Sequence, residues 1–347
     1  MIIIRQHLEK RRRRLVKKRH KRKVILQRTK GQTQSDCTQK LLEQAAASFN
    51  EGFDAGYDQA MMRSQHSAPE TMRVKPNSVE EYAKGLYDGG EGIVDSILPE
   101  LEILPEISVR QIIEAGMEQM SSQYYRLLSA AEVARKLNEA LDSSSPLSVI
   151  RLGDGELLTL AQDMVLNEEE VRKEGHFLSY AGVCLPDLKA RDMLAASVRK
   201  ADIVGIPKLR LPNFQPLGFS VFRAHGIDYR KLQLTLSTVN YALHLEGLLG
   251  GILAGRRVLV VGNSAPGLSR VLSGRGIKVA GTVAPVEGIH DIPRIMDEIR
   301  GHPFDIALVG AGIPAVIITE RIASELGKVA IDFGHLADSL ASGESTL

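Results

Sequence analysis

Arg257-Val258-Leu259-Val260-Val261-Gly262-Asn263-Ser264-Ala265-Pro266-Gly267-Leu268 decides the fold class. Four consecutive apolar residues, mostly β-branched, end on a glycine and a short run of small polar residues. A helical pattern then opens, with Pro266 near its start, where a missing N–H costs nothing. A strand that carries apolar side chains on both faces is one buried on both faces, as in a parallel sheet.

The same unit recurs on either side. Short apolar runs at Ser148–Leu152, Ile203–Ile206, Gln233–Leu236, Lys278–Val283, Ile306–Val309 and Lys328–Ile331 read as further strands. Helical patterns lie near 155–164, 187–200, 216–225, 240–254, 266–274, 290–300 and 314–326. Alternation of this kind predicts an α/β fold, a mostly parallel Rossmann-like sheet flanked by helices. In such sheets ligands bind beyond the carboxyl ends of the strands. The residues that follow each strand are therefore the candidates for chemistry.

The first strand ends in Arg151-Leu152-Gly153-Asp154-Gly155-Glu156. If this step is extended, alternate side chains share a side and both carboxylates face one divalent cation. Hard oxygen ligands suit Mg²⁺ or Mn²⁺, and Arg151 would offset a diphosphate. The other reading is a turn, with Glu156 in the first turn of the next helix, where the dipole favours an acid. The residues leave the two readings open.

The loop Gly262-Asn263-Ser264 could present backbone N–H groups to a phosphate, or simply join strand to helix. It departs from the dinucleotide fingerprint, because Ser264 stands in place of the second glycine and no clear acid ends the next strand. A third set comprises Asp305 to Gly312 and Ala330-Ile331-Asp332-Phe333-Gly334-His335. Asp332 and His335 are placed to reach the same crevice as Asp154. No zinc spacing, G-x-S-x-G elbow or Walker motif occurs.

Upstream the pattern differs. Residues 1–30 hold 14 Lys or Arg and one acid, Glu9, a net charge of +13, whereas the remainder holds 30 basic and 41 acidic side chains, a net −11. Residues 1–40 read as a basic, poorly packed tail, either a solvated arm or an electrostatic tether to anionic lipid, nucleic acid or an acidic partner. Residues 41–142 read as a helical region. Within it Phe49-x-x-Gly52-Phe53-x-x-Gly56 matches Tyr82-x-x-Gly85-Leu86-x-x-Gly89. Paired glycines on one helix face are unfavourable for the helix itself, so they point to close helix–helix packing, within the chain or in a homodimer. Ile112, Ile113, Met117, Met120, Tyr124, Leu127 and Leu128 form an apolar stripe expected to be core. Two cysteines give no disulfide framework, and no apolar run is long enough to span a membrane. A cytoplasmic protein, peripheral at an anionic surface, is the expectation. With 5% aromatics and no Trp, a stacking surface for single-stranded nucleic acid is disfavoured.

The Arg151–Glu156 string after a strand resembles the Asp-x-Glu signature of GT-D-type glycosyltransferases. The strand ending at Gly262, the Asp305–Gly312 segment and the closing Ile331-Asp332-Phe333-Gly334-His335 are similar to that family's C-terminal half. The likeness spans roughly 147–340. The basic arm and paired-glycine helices also resemble N-terminal extensions of spore-forming, Gram-positive relatives. The resemblance implies a metal-dependent glycosyltransferase that moves a sugar, hexose by type, from a UDP-sugar to a glycan or glycoprotein acceptor. Asp154 and Glu156 become the metal ligands, Mn²⁺ or Mg²⁺ the ion. Arg151, Gly153, Gly155, Gly262, Asn263, Ser264 and Asp332 become the donor-binding set. An inverting displacement needs a base near the acceptor hydroxyl, for which His335 and Glu246 are the candidates. Two other classes stay open: a nucleotide-cofactor oxidoreductase or methyltransferase using the Gly262–Gly267 loop, and a non-catalytic scaffold whose basic arm binds nucleic acid or membrane.

Overall fold

The structure, a computed structural model, describes residues 84–85, 87–179, 181–210 and 214–346. The chain divides into two compact units, with Leu128 opening the larger described one.

In the smaller unit a π-helical turn, Tyr87–Glu91, leads into α1 (Gly92–Ile97), and α2 spans Val109–Gln119. Ser108 opens α2 with a reciprocal capping box, its hydroxyl accepting from the Gln111 N–H while Gln111 accepts from the Ser108 N–H. The stripe expected to be core is not buried here. Ile113, Met117, Met120 and Tyr124 are all exposed, and no residue of α1 or α2 is buried. Gly85 and Gly89 are also exposed, with no atom within 4 Å of where a Cβ would stand. Among the described residues no close approach is made at this pair. Gly52 and Gly56, like the basic tail, lie outside the described residues.

The larger unit is built on a seven-stranded sheet in the order β3-β2-β1-β7-β6-β4-β5. Its strands are β1 Leu147–Arg151, β2 Ile203–Ile206, β3 Gln233–Leu236, β4 Arg257–Gly262, β5 Lys278–Val283, β6 Ile306–Gly310 and β7 Val329–Asp332. Every pairing is parallel. Central strands β2 and β7 are buried along their whole length, as the continuous apolar runs require.

The helices are α3 Ala130–Ser143, α4 Asp154–Ala161, α5 Glu168–Glu174, α6 Leu188–Lys200, α7 Phe214–Ala224, α8 Val239–Leu245, α9 Leu248–Leu253, α10 Ala265–Gly274, α11 Ile292–Arg300, α12 Pro314–Leu326 and α13 Leu336–Ser342. Helix α3, which the sequence reading gave to the helical region, belongs here. Ser129 and Glu132 cap it reciprocally. Its Val133, Leu137 and Leu141 enter the same core as Val149, Val258, Leu308 and Ile331. The domain boundary expected at 147 thus falls one helix late.

Topology fixes where a ligand fits. From β1 the chain steps one way through β2 and β3; from β4 it steps the other way to β5, then returns through β6 to β7 beside β1. Right-handed crossovers put steps of opposite direction on opposite faces. Helix α12 accordingly packs with α6, α11 and β1, whereas α13 packs with α10, and α3 with α8 and α9. At the carboxyl edge the chain therefore leaves neighbouring β1, β7, β6 and β4 towards alternating faces. In open α/β sheets such divergence marks where a ligand crevice forms, above the strand ends.

Candidate active site at the carboxyl edge of the sheet

Arg151, the last residue of β1, organises this edge. Its Nε donates to the Asp332 carbonyl (3.0 Å), Nη1 to the Ser237 carbonyl (2.9 Å) and to Asn240 Oδ1 (3.3 Å), and Nη2 to Asp332 Oδ1 (3.1 Å). One guanidinium thus ties the ends of β1 and β7 to the segment after β3. Two glycines make room for it. A Cβ on Gly334 would stand 1.8 Å from Arg151 Nη2, and one on Gly205 3.3 Å from Arg151 Cγ. Gly334 also adopts φ +49°, the left-handed region that glycine enters without strain. Most of the Arg151 donors are engaged within the protein, and its side chain is 17% exposed.

Asp332 ends β7, with a side chain 3% exposed. Its Oδ1 also accepts from the Gly334 N–H (3.1 Å). Burial pushes its carboxyl above the ordinary range, and the Arg151 charge and hydrogen bonds act against that.

Asp154 and Glu156 do not lie on an extended step. They are the first and third residues of α4, so the geometric premise for both facing one cation fails and the first-turn alternative holds. Glu156 Oε2 accepts from the Gly153 N–H (2.8 Å), and Asp154 Oδ1 from the Gly155 N–H (2.9 Å). Each carboxylate therefore keeps one oxygen with no hydrogen bond among the described residues. Burial first, then the Asp332 charge, push the Glu156 carboxyl up to about 7; the Gly153 N–H opposes them and Asp154 adds a smaller push. Gly155 is buried against Ile313 and Phe177, where a Cβ would come within 3.3 Å of Ile313 Cδ1. That contact seats the start of α4 on the start of α12.

The Gly262–Ser264 loop is held by the protein's own groups. Gly262 has φ +130°, and a Cβ there would strike the Gly310 carbonyl at 1.9 Å. The glycine lets the ends of β4 and β6 close up. Asn263 Oδ1 accepts from the Val286 N–H (2.8 Å). Ser264 donates its hydroxyl to Asp338. A carboxylate thus stands by the start of α10, where a cofactor phosphate was one expectation. Asp305 sits at the opposite, amino edge and pairs with Arg257 at 2.6 Å.

Of the two candidate bases, His335 follows Gly334 directly and is exposed on the rim. Glu246 is not brought to the crevice. It ends α8 on an exposed position, six residues or about 9 Å of helix axis beyond Asn240. Asn240 is the residue of α8 that reaches the site. Fully buried, it accepts from Arg151 and donates Nδ2 to the Phe333 carbonyl at 2.8 Å. Sequence reading passed over it because a single Asn at a helix start carries no motif.

A parallel sheet of this order, with Asp154, Glu156 and Asp332 near the ends of β1 and β7, defines a Rossmann-like α/β protein whose candidate site lies at its carboxyl edge. The model of the GT-D-like family, described as a GT-D fold-like domain, matches residues 128–340, and the chain belongs to that family. The matched stretch opens with the segment leading into α3, as the core does. The chain is also similar to a solved structure of a domain of unknown function 1792, described as having a distinct glycosyltransferase fold. That similarity is 16% identity over 67% of this chain and 85% of the other, at a TM-score of 0.45. Comparison with curated proteins finds no match. Among the described residues no helix is long and apolar enough to cross a membrane.

Proposed function

We propose that this protein is a metal-dependent glycosyltransferase that takes a sugar, a hexose by type, from a UDP-sugar and passes it to a glycan or glycoprotein hydroxyl. Membership of the GT-D-like family suggests the glycosyltransferase class. The observation that carries the finer reading is the acidic crowding at the β1–β7 crevice. Burial first, then the Asp332 charge and a smaller push from Asp154, raise the Glu156 carboxyl to about 7, and a cation would relieve the part of that shift that is repulsion.

The donor set suits Mn²⁺ or Mg²⁺, being hard carboxylate oxygen. Among the described residues no three His, Cys, Asp or Glu side chains form a group that could hold a metal. In this reading the cation would take its protein ligand from the unengaged oxygen of Asp154 or of Glu156, which as residues i and i+2 of one helical turn do not share a face. Diphosphate and water would complete the shell, as Mg²⁺ commonly prefers. When bound, the ion would supply Lewis-acid stabilisation of the departing diphosphate. The chain's own part is to fix the carboxylates by the Gly153 and Gly155 N–H groups, and to hold Asp332 through Arg151.

The test is a panel of UDP-sugars, scored for UDP release and thermal shift with and without Mn²⁺. Glu156→Gln can still accept from the Gly153 N–H, so the start of α4 should survive. Either it or Asp154→Asn should abolish Mn²⁺-dependent UDP binding, each with little change in circular dichroism. Unchanged affinity in both variants would sink the metal assignment. The engaged Gly262–Ser264 loop gives the oxidoreductase and methyltransferase readings no comparable support.

A further inference from the structure

An aromatic pair packs against the turn that carries the two candidate cation ligands. Phe177 lies between α5 and α6, and a Cβ on Gly155, between Asp154 and Glu156, would stand 3.5 Å from Phe177 Cε2. His176 stands edge to face beside it, with ring centroids 5.8 Å apart and planes at 86°. The segment is fixed from below. Leu178 is fully buried, and Gly175 makes room for it, since a Cβ there would strike Leu178 Cδ1 at 2.6 Å. Backbone bonds close the turn. The Leu178 N–H donates to the Gly175 carbonyl (3.0 Å), the Ala181 N–H to the Phe177 carbonyl (3.1 Å) and the Val183 N–H to the Leu178 carbonyl (2.9 Å). With Leu178 turned into the core, the two rings before it stay towards the surface, His176 exposed and Phe177 half-buried.

Aromatic surface beside carboxylates and polar backbone suits a ligand part that is flat and apolar on its faces. A UDP-sugar has one such part. Its diphosphate belongs with the cation. Its sugar carries hydroxyls around the ring, which need polar partners when buried, and Phe177 offers none. Uracil is a flat π-system, and any base can stack on an aromatic side chain. In UDP the base lies one ribose away from the diphosphate. Phe177 lies correspondingly close, against the glycine between the two carboxylates that would place that diphosphate. An edge-to-face pair covers at most one face of one ring, so the contact with His176 steadies Phe177 without using up its surface.

We propose that Phe177, held edge to face by His176, is the surface on which the uracil of the donor stacks. The inference rests on the glycosyltransferase reading above. It gives the aromatic pair a part in binding the donor and none in making or breaking bonds. The carboxylate turn and the ring then divide the nucleotide between them, diphosphate on one and base on the other, with Gly155 as the point where the two parts of the site meet.

The alternative is a wall: Phe177 merely packs on Gly155 and keeps the start of α4 in place. Phe177→Leu separates the two, because leucine keeps apolar bulk against Gly155 and removes the π-face. The full chain is titrated by calorimetry in MnCl₂ with UDP, inorganic pyrophosphate and UDP-glucose in turn. Pyrophosphate carries the diphosphate without a base, so it reports on the carboxylate turn alone. The expected result is a UDP affinity about 10-fold weaker in Phe177→Leu, with pyrophosphate affinity unchanged. Phe177→Tyr, which keeps the ring, should bind UDP as wild type does. His176→Ala should weaken UDP and spare pyrophosphate in the same sense. Equal losses for UDP and pyrophosphate in Phe177→Leu leave the wall and overturn the uracil site. So does a Phe177→Leu protein that binds UDP like wild type and UDP-glucose more weakly, which puts the ring under the sugar. A wild type that binds neither UDP nor pyrophosphate overturns the uracil site together with the reading it rests on.

Discussion

Arg151 shows how much one residue decides at this site. Its guanidinium reaches the carbonyls of Asp332 and Ser237 only because Gly334 and Gly205 leave the space. Gly334→Ala should therefore cost about 1–3 kcal/mol from its left-handed φ alone, before any displacement of Arg151. Urea unfolding checks it, and a loss below about 0.5 kcal/mol would mean that the guanidinium is free to move aside. A second prediction concerns Glu156, whose folded pKa is raised from 4.5 to about 7. The folded state holds this proton more tightly than the unfolded state, so the stabilising contribution is complete below pH 4.5 and is lost as pH rises through 7. In metal-free buffer Glu156→Gln should melt with wild type at pH 4 and above it at pH 8. Parallel melting curves across that window would refute the assignment. Both carboxylates were legible in the sequence as residue types, Asp154 between two glycines and Glu156 just after the second. Their geometry was not, because whether Gly153–Glu156 extends or coils depends on how Gly155 seats against Ile313, more than 150 residues away. The destination of Arg151 was hidden for the same reason: its partners sit on β7 and after β3.

Elements were easier to read than sites, because apolar periodicity is local. The strands at Ile203–Ile206, Gln233–Leu236 and Lys278–Val283 stand where the sequence put them. The helix expected over 240–254 is two, α8 and α9, separated by Gly247 at φ +70°. Helix α5 escaped notice because Glu168–Glu174 offers a single buried apolar residue, Val171, and relies on an Asn167–Glu170 capping box. Helix α3 was recognised as a helix and assigned to the wrong body, since its amphipathic face names no partner. Leu137, fully buried among the sheet's own core residues, supplies the test. Leu137→Ala should destabilise the sheet unit by about 2–5 kcal/mol. If the main unfolding transition of the full chain is unmoved, α3 is an appendage and the unit begins after it.

At the scale of the whole molecule, charge is divided more sharply than composition suggests. A net +13 within residues 1–30 faces a net −11 in the rest, and the candidate crevice adds crowded carboxylates to the negative part. The sequence exposes this division, yet the tail's surroundings lie outside the described residues. Its role is therefore best asked of the charge itself. A tether built on like charges binds anionic surfaces with an affinity that falls steeply with salt, since screening at physiological ionic strength acts within about 8 Å. Deleting residues 1–30 should leave UDP-sugar turnover near that of the full chain, because the β1–β7 crevice draws all its described residues from Arg151 onward. The same deletion should abolish binding to vesicles containing phosphatidylserine, which in the full chain should weaken as sodium chloride is raised. Co-sedimentation with such vesicles and UDP release, measured on both proteins, separate tether from catalyst. A truncated chain that holds the vesicles equally well would place the anionic-surface contact elsewhere. One that no longer turns over donor would make the arm part of the active site.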